Sequence, residues 1–479
     1  MGALVDIFLW VAQTVKKSNC LNVALRLLRF TIFIGWNAMR LISHRLKLFL
    51  CLYQFAWWLG LPFVFLYLLI RSHKDSDYRY NLEERFGFGP TFEANVWVHA
   101  VSLGEMRAVE PLLRSLLAKN KTLVVTCHTP AGRRYGLEAF STEISKSQMC
   151  VRFAPFELFG AYRRFFKRFK PVLGLVVEQE IWPIMLGSGC INAVPIYLIN
   201  SQMTNFGVKK VAWFTMLFGH CSSLATGVFA KSEASANNFK SLGAKNVLVI
   251  GELRFDQIIP TWQTNGARNF RKSAGLLARP TFVICSMTSD EEEIYIQAIS
   301  EVKRKFADFG VLAPLFILVP RALERFDVVF ESLGRVELKA VKRSETFDDN
   351  LVPIKVFEWD EVDVLLGDSF GEMFFYMELA KTAIVGGGFN PSGAHNIIEP
   401  LMLGLNTLVG PHIWTIMFPT MEAQAAGLVT VVDDSVALVT EMLAAYDDNI
   451  EKSQRTNFLA VYSGATEKTL KVLAEQGHL

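Results

Sequence analysis

The sequence predicts an α/β protein with two parallel-sheet domains behind an N-terminal apolar helix. Three observations predict it. Short apolar runs alternate with turn signals and helical stretches from residue 96 onward. The alternation breaks in a polar stretch around Gln257–Gly266, which contains Pro260, and then restarts. Ahead of both lies a 23-residue run, Leu48–Ile70, with no charge. A length of 479 residues corresponds to two or three domains at about 150 residues each.

The apolar run comes first. About 20 apolar residues cross a hydrocarbon core of roughly 30 Å, so Leu48–Ile70 is a candidate transmembrane helix. Gln54 is its one strongly polar side chain, and Gly60-Leu61-Pro62 mark a candidate kink. Its late start and the lack of a small-residue cleavage site exclude a secretory signal peptide. Ala3–Val15 and Phe30–Met39 are shorter apolar pieces separated by Lys16, Lys17, Arg26 and Arg29. They read as interfacial helices with basic heads toward anionic lipid. Residues 1–75 thus form a membrane-associating region, either spanning or lying in one leaflet, and much of the mean hydropathy of +0.27 sits there.

The alternating body follows. Val96–Val101, Thr122–Thr126, Leu173–Val177, Pro195–Ile199, Gly227–Ala230 and Val247–Ile250 are expected strands of a first domain, 92–257. Thr281–Cys285, Leu315–Val319, Val362–Leu366, Thr382–Val385, Asn406–Val409 and Val429–Val432 are expected strands of a second, 268–450. Residues 451–479 remain as a helical tail. Buried strands alternating with helices imply parallel sheets with right-handed crossovers. Ligands of such sheets sit off the carboxyl ends of strands, so the site is expected in the cleft between the domains.

Composition narrows the function. With 51% hydrophobic residues and 49 Lys+Arg against 46 Asp+Glu, the chain is neither disordered nor built for nucleic acid. Seven cysteines without a CxxC arrangement give no disulfide framework and no Cys-based zinc site.

Several strand-end segments carry candidate chemistry. In His99-Ala100-Val101-Ser102-Leu103-Gly104-Glu105 a strand ends and a Glu enters a helix. Glu105 either complements the helix dipole or serves as a general base. Glu178-Gln179-Glu180-Ile181-Trp182-Pro183 places two carboxylates at a strand end, for function or for an ion pair. Gly386 to Pro400 runs from a strand through a glycine turn to a helix expected near His395. Glycines there allow close approach to a phosphate, and Glu399 is placed to meet ribose hydroxyls. No GxxxxGK[ST] or GxGxxG is present, which weighs against a P-loop NTPase and a nicotinamide enzyme. Arg321 after Val319-Pro320 and the Gly367–Glu372 turn complete a candidate nucleotide site, and Arg254 closes the first domain.

In this order the segments resemble the Kdo transferases, which move 3-deoxy-D-manno-octulosonic acid (Kdo) from CMP-Kdo to a lipid A precursor in lipopolysaccharide core synthesis. The matching segments include Glu84-Arg85-Phe86-Gly87, Ser102-Leu103-Gly104-Glu105, Thr129-Pro130-Ala131-Gly132, Glu178 to Pro183, Gly367 to Glu372, His395 to Pro400 and Gly410-Pro411-His412. The resemblance implies the GT-B glycosyltransferase fold of two Rossmann-like domains, the first facing the acceptor and the second holding the nucleotide. It implies that Glu105 is the general base. It makes Glu178, with Glu180, and Arg254, where the family has a Lys, transition-state stabilisers. Pro320, Arg321, Phe370, Gly371, Glu372, Asn396, Ile397, Ile398 and Glu399 match the CMP-binding segments. No metal and no cofactor are implied. The implied partners are CMP-Kdo, a lipid A precursor and the inner membrane, with the catalytic domains on its cytoplasmic side.

Some family positions differ. Ser286–Glu292 lacks a His and a Gly, Arg321–Phe326 lacks a His, Asn200-Ser201-Gln202 lacks an Arg, and no Asn follows His412. The chain therefore resembles a divergent member. A paralogue using another nucleotide sugar and a catalytically inactive scaffold are the alternatives.

Overall fold

A computed structural model describes residues 43–209, 220–445 and 452–479. Ala3–Val15 and Phe30–Met39 lie outside the described residues. The chain divides into two compact units. One holds the residues up to Asp256 together with Gly464–Leu479, and the other is Gln257–Ser463.

The first unit begins with α1, His44–Ser72, which runs unbroken through Gly60 and Pro62. It is long and apolar enough to cross a membrane by length and composition. One face nevertheless packs on its own unit. Leu46, Phe49, Leu50, Leu61 and Leu68 are buried. Gln54 Oε1 accepts the Phe159 backbone N–H at 2.7 Å. Further along, Phe65 stacks on Phe86, and Trp57 meets Phe156. From Leu46 to Leu68 this covers about 33 Å of helix at 1.5 Å per residue. Leu48, Leu52, Phe55, Leu59, Phe63, Leu66 and Ile70 are exposed. Their spacing of three or four puts them on one stripe.

Behind α1 the first sheet comprises β1 (Val96–His99), β2 (Leu123–Cys127), β3 (Met149–Phe153), β4 (Leu173–Val177), β5 (Ile196–Ser201), β6 (Gly227–Ala230) and β7 (Val247–Val249). Their order is β3-β2-β1-β4-β5-β6-β7, parallel throughout. The principal helices between them are α2 (Leu103–Ala118), α3 (Pro130–Ala139), α4 (Phe159–Phe169) and α5 (Pro183–Ile191). Strands β1, β2 and β4 are buried at every position, as uninterrupted apolar runs covered on both faces should be. In α2, Met106, Val109, Leu112, Leu113 and Leu116 are buried, a helical stripe facing the sheet. Strand β3 was not among the expected strands, because Arg152 interrupts its apolar run.

The second unit opens with α6, Thr261–Ser273. The polar stretch expected to break the pattern therefore becomes helical halfway along. Its sheet comprises β8 (Thr281–Met287), β9 (Leu315–Pro320), β10 (Ala340–Lys342), β11 (Val364–Leu366), β12 (Thr382–Val385), β13 (Asn406–Val409) and β14 (Val429–Val431). The order is β10-β11-β9-β8-β12-β13-β14, again parallel. Helices α7 (Glu292–Asp308) and α8 (Ile398–Leu403) bear on the site.

The C-terminal tail is shared. Helix α9, Lys452–Tyr462, belongs to the second unit, and α10, Ala465–Glu475, returns to the first. The turn is Gly464, at φ +83°. Asp256 accepts the backbone N–H groups of Gly464 and Thr466, each at 2.6 Å. Its carboxylate thus satisfies donors that the start of α10 leaves unpaired.

Candidate active site

In the first sheet the order reverses between β1 and β4. Strands β2 and β3 lie beyond β1, and β5 to β7 lie beyond β4. Open parallel sheets bind ligands off the carboxyl ends of strands at such a switch point. Glu105 follows β1 there, and Glu178 and Glu180 follow β4.

Glu105 is the third residue of α2. Its backbone N–H bonds the Ser102 hydroxyl at 3.4 Å, and its Oε2 accepts the Val101 N–H at 2.6 Å. The Glu105 carboxylate thus closes the turn that opens α2. Burial raises its pKa to about 8, and Glu178 and Glu180 push in the same direction. A carboxyl titrating near neutrality is suited to proton transfer.

Glu178 occupies left-handed backbone at φ 65°, and Asn200, at the end of neighbouring β5, does so at 52°. For a residue with a Cβ this conformation is uncommon. It is held by a network that only the fold reveals. Lys231 Nζ lies 2.7 Å from Glu178 Oε1 and 2.8 Å from Glu252 Oε2. Asn200 Nδ2 donates to the same two carboxylates at 3.2 and 2.9 Å. The Arg254 guanidinium stands 3.7 Å from Glu178 and 3.9 Å from Glu252. Burial alone would raise the Glu252 pKa, but Lys231 and Arg254 outweigh it and hold the carboxyl below its ordinary value. Glu180 stands apart from this network and takes the Trp182 indole N–H. Burial raises its pKa, as does Glu178. The two carboxylates of this segment thus have different partners.

Lys231, Asn200 and Glu252 were not among the expected site residues. Each lies at or just beyond the carboxyl end of a strand, which is the signal that would have found them.

In the second unit four adjacent strands, β11, β9, β8 and β12, deliver the remaining candidates at their carboxyl ends. Arg321 follows β9. Its Nη1 lies 2.7 Å from Nδ1 and 2.5 Å from Nε2 of His395. Burial, then Arg321, lowers the His395 pKa to about 4, so at neutral pH the ring accepts from the guanidinium. Glu291, fully buried, pins the loop after β12. It accepts the N–H groups of Gly387 at 2.6 Å and Phe389 at 2.9 Å.

The glycines of that loop have a reason beyond phosphate approach. A Cβ on Gly388 would stand 2.4 Å from the Gly410 nitrogen, and one on Gly386 would stand 2.5 Å from the Ser286 oxygen. Backbone packs on backbone across three strand ends.

The helix expected near His395 begins instead at Ile398, because Asn396 turns the chain first. Its Oδ1 accepts the Ile398 N–H at 3.0 Å. Glu399 falls in the first turn of α8. The side chains of Ile397 and Ile398 are buried, so they shape the loop from beneath. Pro320 is buried at the end of β9, and Phe370 is exposed. Gly371 has φ +85°, and its carbonyl accepts from buried Gln263 at 2.9 Å. The Glu372 carboxylate is engaged by Arg343, at 2.7 Å to Nε and 2.6 Å to Nη2.

Comparison with known proteins agrees with this architecture. Residues 80–257 match the family model described as 3-deoxy-D-manno-octulosonic-acid transferase (kdotransferase). The chain is 31% identical over 389 residues to a 3-deoxy-D-manno-octulosonic acid transferase of Bordetella pertussis, covering 80% of this chain and 87% of the relative. It is 27% identical over 365 residues to one of Aquifex aeolicus, covering 75% and 89%. Among solved structures, Anabaena HepE in complex with UDP superposes with a TM-score of 0.52 at 11% identity, covering 80% of this chain and 99% of that one, which shows the fold. With two parallel α/β units in the GT-B manner and these relatives, the chain belongs to the 3-deoxy-D-manno-octulosonic acid transferase family of glycosyltransferases.

Proposed function

We propose that this protein transfers Kdo from CMP-Kdo to a lipid A precursor, with Glu105 as the base. The observation that carries the reading is the meeting of Glu105 with Glu178 and Glu180 at the switch point of the first sheet, in a chain of this family. Glu105 takes the proton of the acceptor hydroxyl. The freed oxygen bonds to the anomeric carbon of the donor as the bond from that carbon to the CMP phosphate oxygen breaks. The electron pair of that bond leaves with CMP. Positive charge developing on the sugar is stabilised by Glu178, which Lys231, Asn200 and Arg254 hold in place, and by Glu180. In the second unit Arg321, oriented by His395, meets the phosphate of CMP. Glu399 meets the ribose, and the turns at Phe370–Glu372 and Asn396–Ile398 shape the nucleotide site.

The membrane enters through α1. A helix packed along about 33 Å of its own unit would drag Glu84, Arg85 and Glu157 into hydrocarbon if it crossed the bilayer, at a cost of several kcal/mol each. Lying along the cytoplasmic face of the inner membrane, it buries the exposed stripe instead. Arg45, Arg71 and Lys74 at its ends suit anionic headgroups.

The test is transfer by the full-length enzyme in detergent or vesicles, read by mass spectrometry of the lipid. A precursor heavier by Kdo is expected, and an unchanged lipid from folded enzyme overturns the reading. Glu105→Gln should lower kcat by about 10²-fold or more while leaving CMP binding intact.

A further inference from the structure

The helix that follows the Glu178–Pro183 segment starts without a cap of its own. Trp182 holds the position before the first turn of α5 and makes no side-chain cap bond. That position favours Ser, Thr, Asp or Asn, whose oxygen accepts from the helix-start N–H groups, whereas an indole only donates. Pro183 brings no N–H. The unpaired donors of the first turn are then those of Ile184 and Met185, two fully buried residues.

One side chain from elsewhere takes both. Glu157 Oε2 accepts the Ile184 N–H at 2.7 Å, and Oε1 accepts the Met185 N–H at 3.0 Å. Glu157 lies between β3 and α4 and is 3% exposed. The buried Tyr162 hydroxyl donates to the same carboxylate. Its neighbours in the chain are fixed as well. Phe156 packs on Trp57 and Phe65 of α1, and the Phe159 N–H donates to Gln54.

Trp182 is thereby free for another task. Its backbone carbonyl accepts the Leu186 N–H at 3.0 Å, which ties the residue to the first turn of α5. Its indole Nε1 donates to Glu180. This bond opposes the effect of burial on Glu180 and favours the ionised carboxylate, the form that stabilises a developing positive charge. A Ser or Asp at residue 182 would cap α5 locally and leave Glu180 without that donor. Trp182 therefore serves Glu180, and Glu157 serves the helix that carries Trp182.

From this we infer that Glu157 is a positioning residue, which fixes the start of α5 and so aims the Trp182 indole at Glu180. The inference rests on the reading of Glu180 above as a group that stabilises the transferred sugar, and it names the side chain on which that placement depends. Glu157 is buried and acts through Trp182.

The experiment is a double-substitution cycle on the full-length enzyme, with kcat and melting temperature read in parallel. Glu157→Gln keeps one acceptor and turns an amide N–H toward a backbone N–H. It should lower kcat about tenfold, as misplaced groups do, and change the KM for CMP-Kdo and for the lipid by less than about twofold. Trp182→Phe keeps a ring and removes the donor, and should lower kcat by a similar factor. In the Trp182→Phe background, Glu157→Gln should cost less than about a further twofold in kcat, because positions acting through one another are not additive. It should lower the melting temperature there as much as in the wild type. A purely structural cap, or a direct effect of the Glu157 charge on Glu180, would lower kcat equally in both backgrounds, and that result overturns the inference. Wild-type turnover in Glu157→Gln does the same. Should Glu157→Gln fail to fold, Glu157→Asp, which keeps the charge and shortens the reach, carries the same cycle. Fluorine NMR of enzyme labelled with fluorotryptophan needs no turnover. The Trp182 resonance, assigned by its loss in Trp182→Phe, should move on Glu180→Gln in the wild type and no longer respond to it in Glu157→Gln. A response retained in Glu157→Gln overturns the inference. If Glu180→Gln leaves kcat unchanged, it is the functional reading of Glu180 that has failed, and the resonance decides the positioning by itself.

Discussion

Glu105 performs two tasks with one carboxylate. Oε2 closes the turn before α2 by accepting the Val101 N–H, while burial and two neighbouring carboxylates raise the pKa to about 8. In its proposed role as the base Glu105 must be ionised to act, so kcat should climb with pH through about 8 and level off above it. In Glu105→Gln that limb should vanish, as a pH–rate profile will show. The sign for stability is opposite. A carboxyl whose pKa is raised by folding favours the folded state below its unfolded value, near 4.5, and loses that contribution as pH rises through about 8. Lys231 is the complementary case, a buried cation between Glu178 and Glu252. Lys231→Met leaves two carboxylates facing each other and should cost about 3–5 kcal/mol, measured by denaturant unfolding. Little of this was legible in the sequence. The strand ends at Asn200 and Lys231 were visible, but their convergence depends on β5 and β6 lying beside β4.

At the scale of elements, α1 shows how composition and packing answer different questions. Twenty-three uncharged residues read as a candidate span, and the helix is indeed long enough. Packing adds that Leu50 sits against Gly187 of α5, where an added Cβ would approach Leu50 to 3.3 Å, and that Gln54 bonds the start of α4. Gln54, the one strongly polar residue of the run, is thus a docking residue. The exposed stripe carries the next prediction. Replacing Leu59 and Phe63 with Gln should move the protein from the membrane fraction to the soluble fraction on sedimentation, with a melting temperature within a few degrees of wild type. Substituting Gln54→Leu should instead leave the Phe159 N–H unpaired and lower stability by about 1–3 kcal/mol. The loop after β12 makes the same point, since its glycine run was legible but the backbone of Gly410 that fills the space beside Gly388 was not.

At the scale of the whole molecule, the chain passes between its units twice, after Asp256 and before Gly464. The carboxylate of Asp256 bonds the start of α10 at the second passage, so both passages are joined through one side chain. Asp256→Ala removes the acceptor for two helix-start N–H groups and should cost about 1–2 kcal/mol. Calorimetry should show the loss in the melting of the first unit. The same tail places Leu473 in that unit's core and sets the Tyr197 hydroxyl 2.5 Å from Gln476 Oε1.

By itself the sequence determined the class of the fold, most strands of both sheets, the apolar N-terminal helix and the place of Glu105, Glu178 and Arg321 just beyond strands. These are local properties, since an apolar run, a turn and a helical stripe are written in consecutive residues. Of the edge strands, β3 escaped because Arg152 interrupts its apolar run, and β10 because it is three residues long and only half-buried. Only the tertiary structure decided which strand ends are neighbours. It brought Lys231 to Glu178 across 53 positions, Glu291 to Gly387 across 96, and Arg133 and Arg152 to Glu84. Partners so far apart in the chain meet only because parallel strands, joined by right-handed crossovers, carry all their carboxyl ends to one edge.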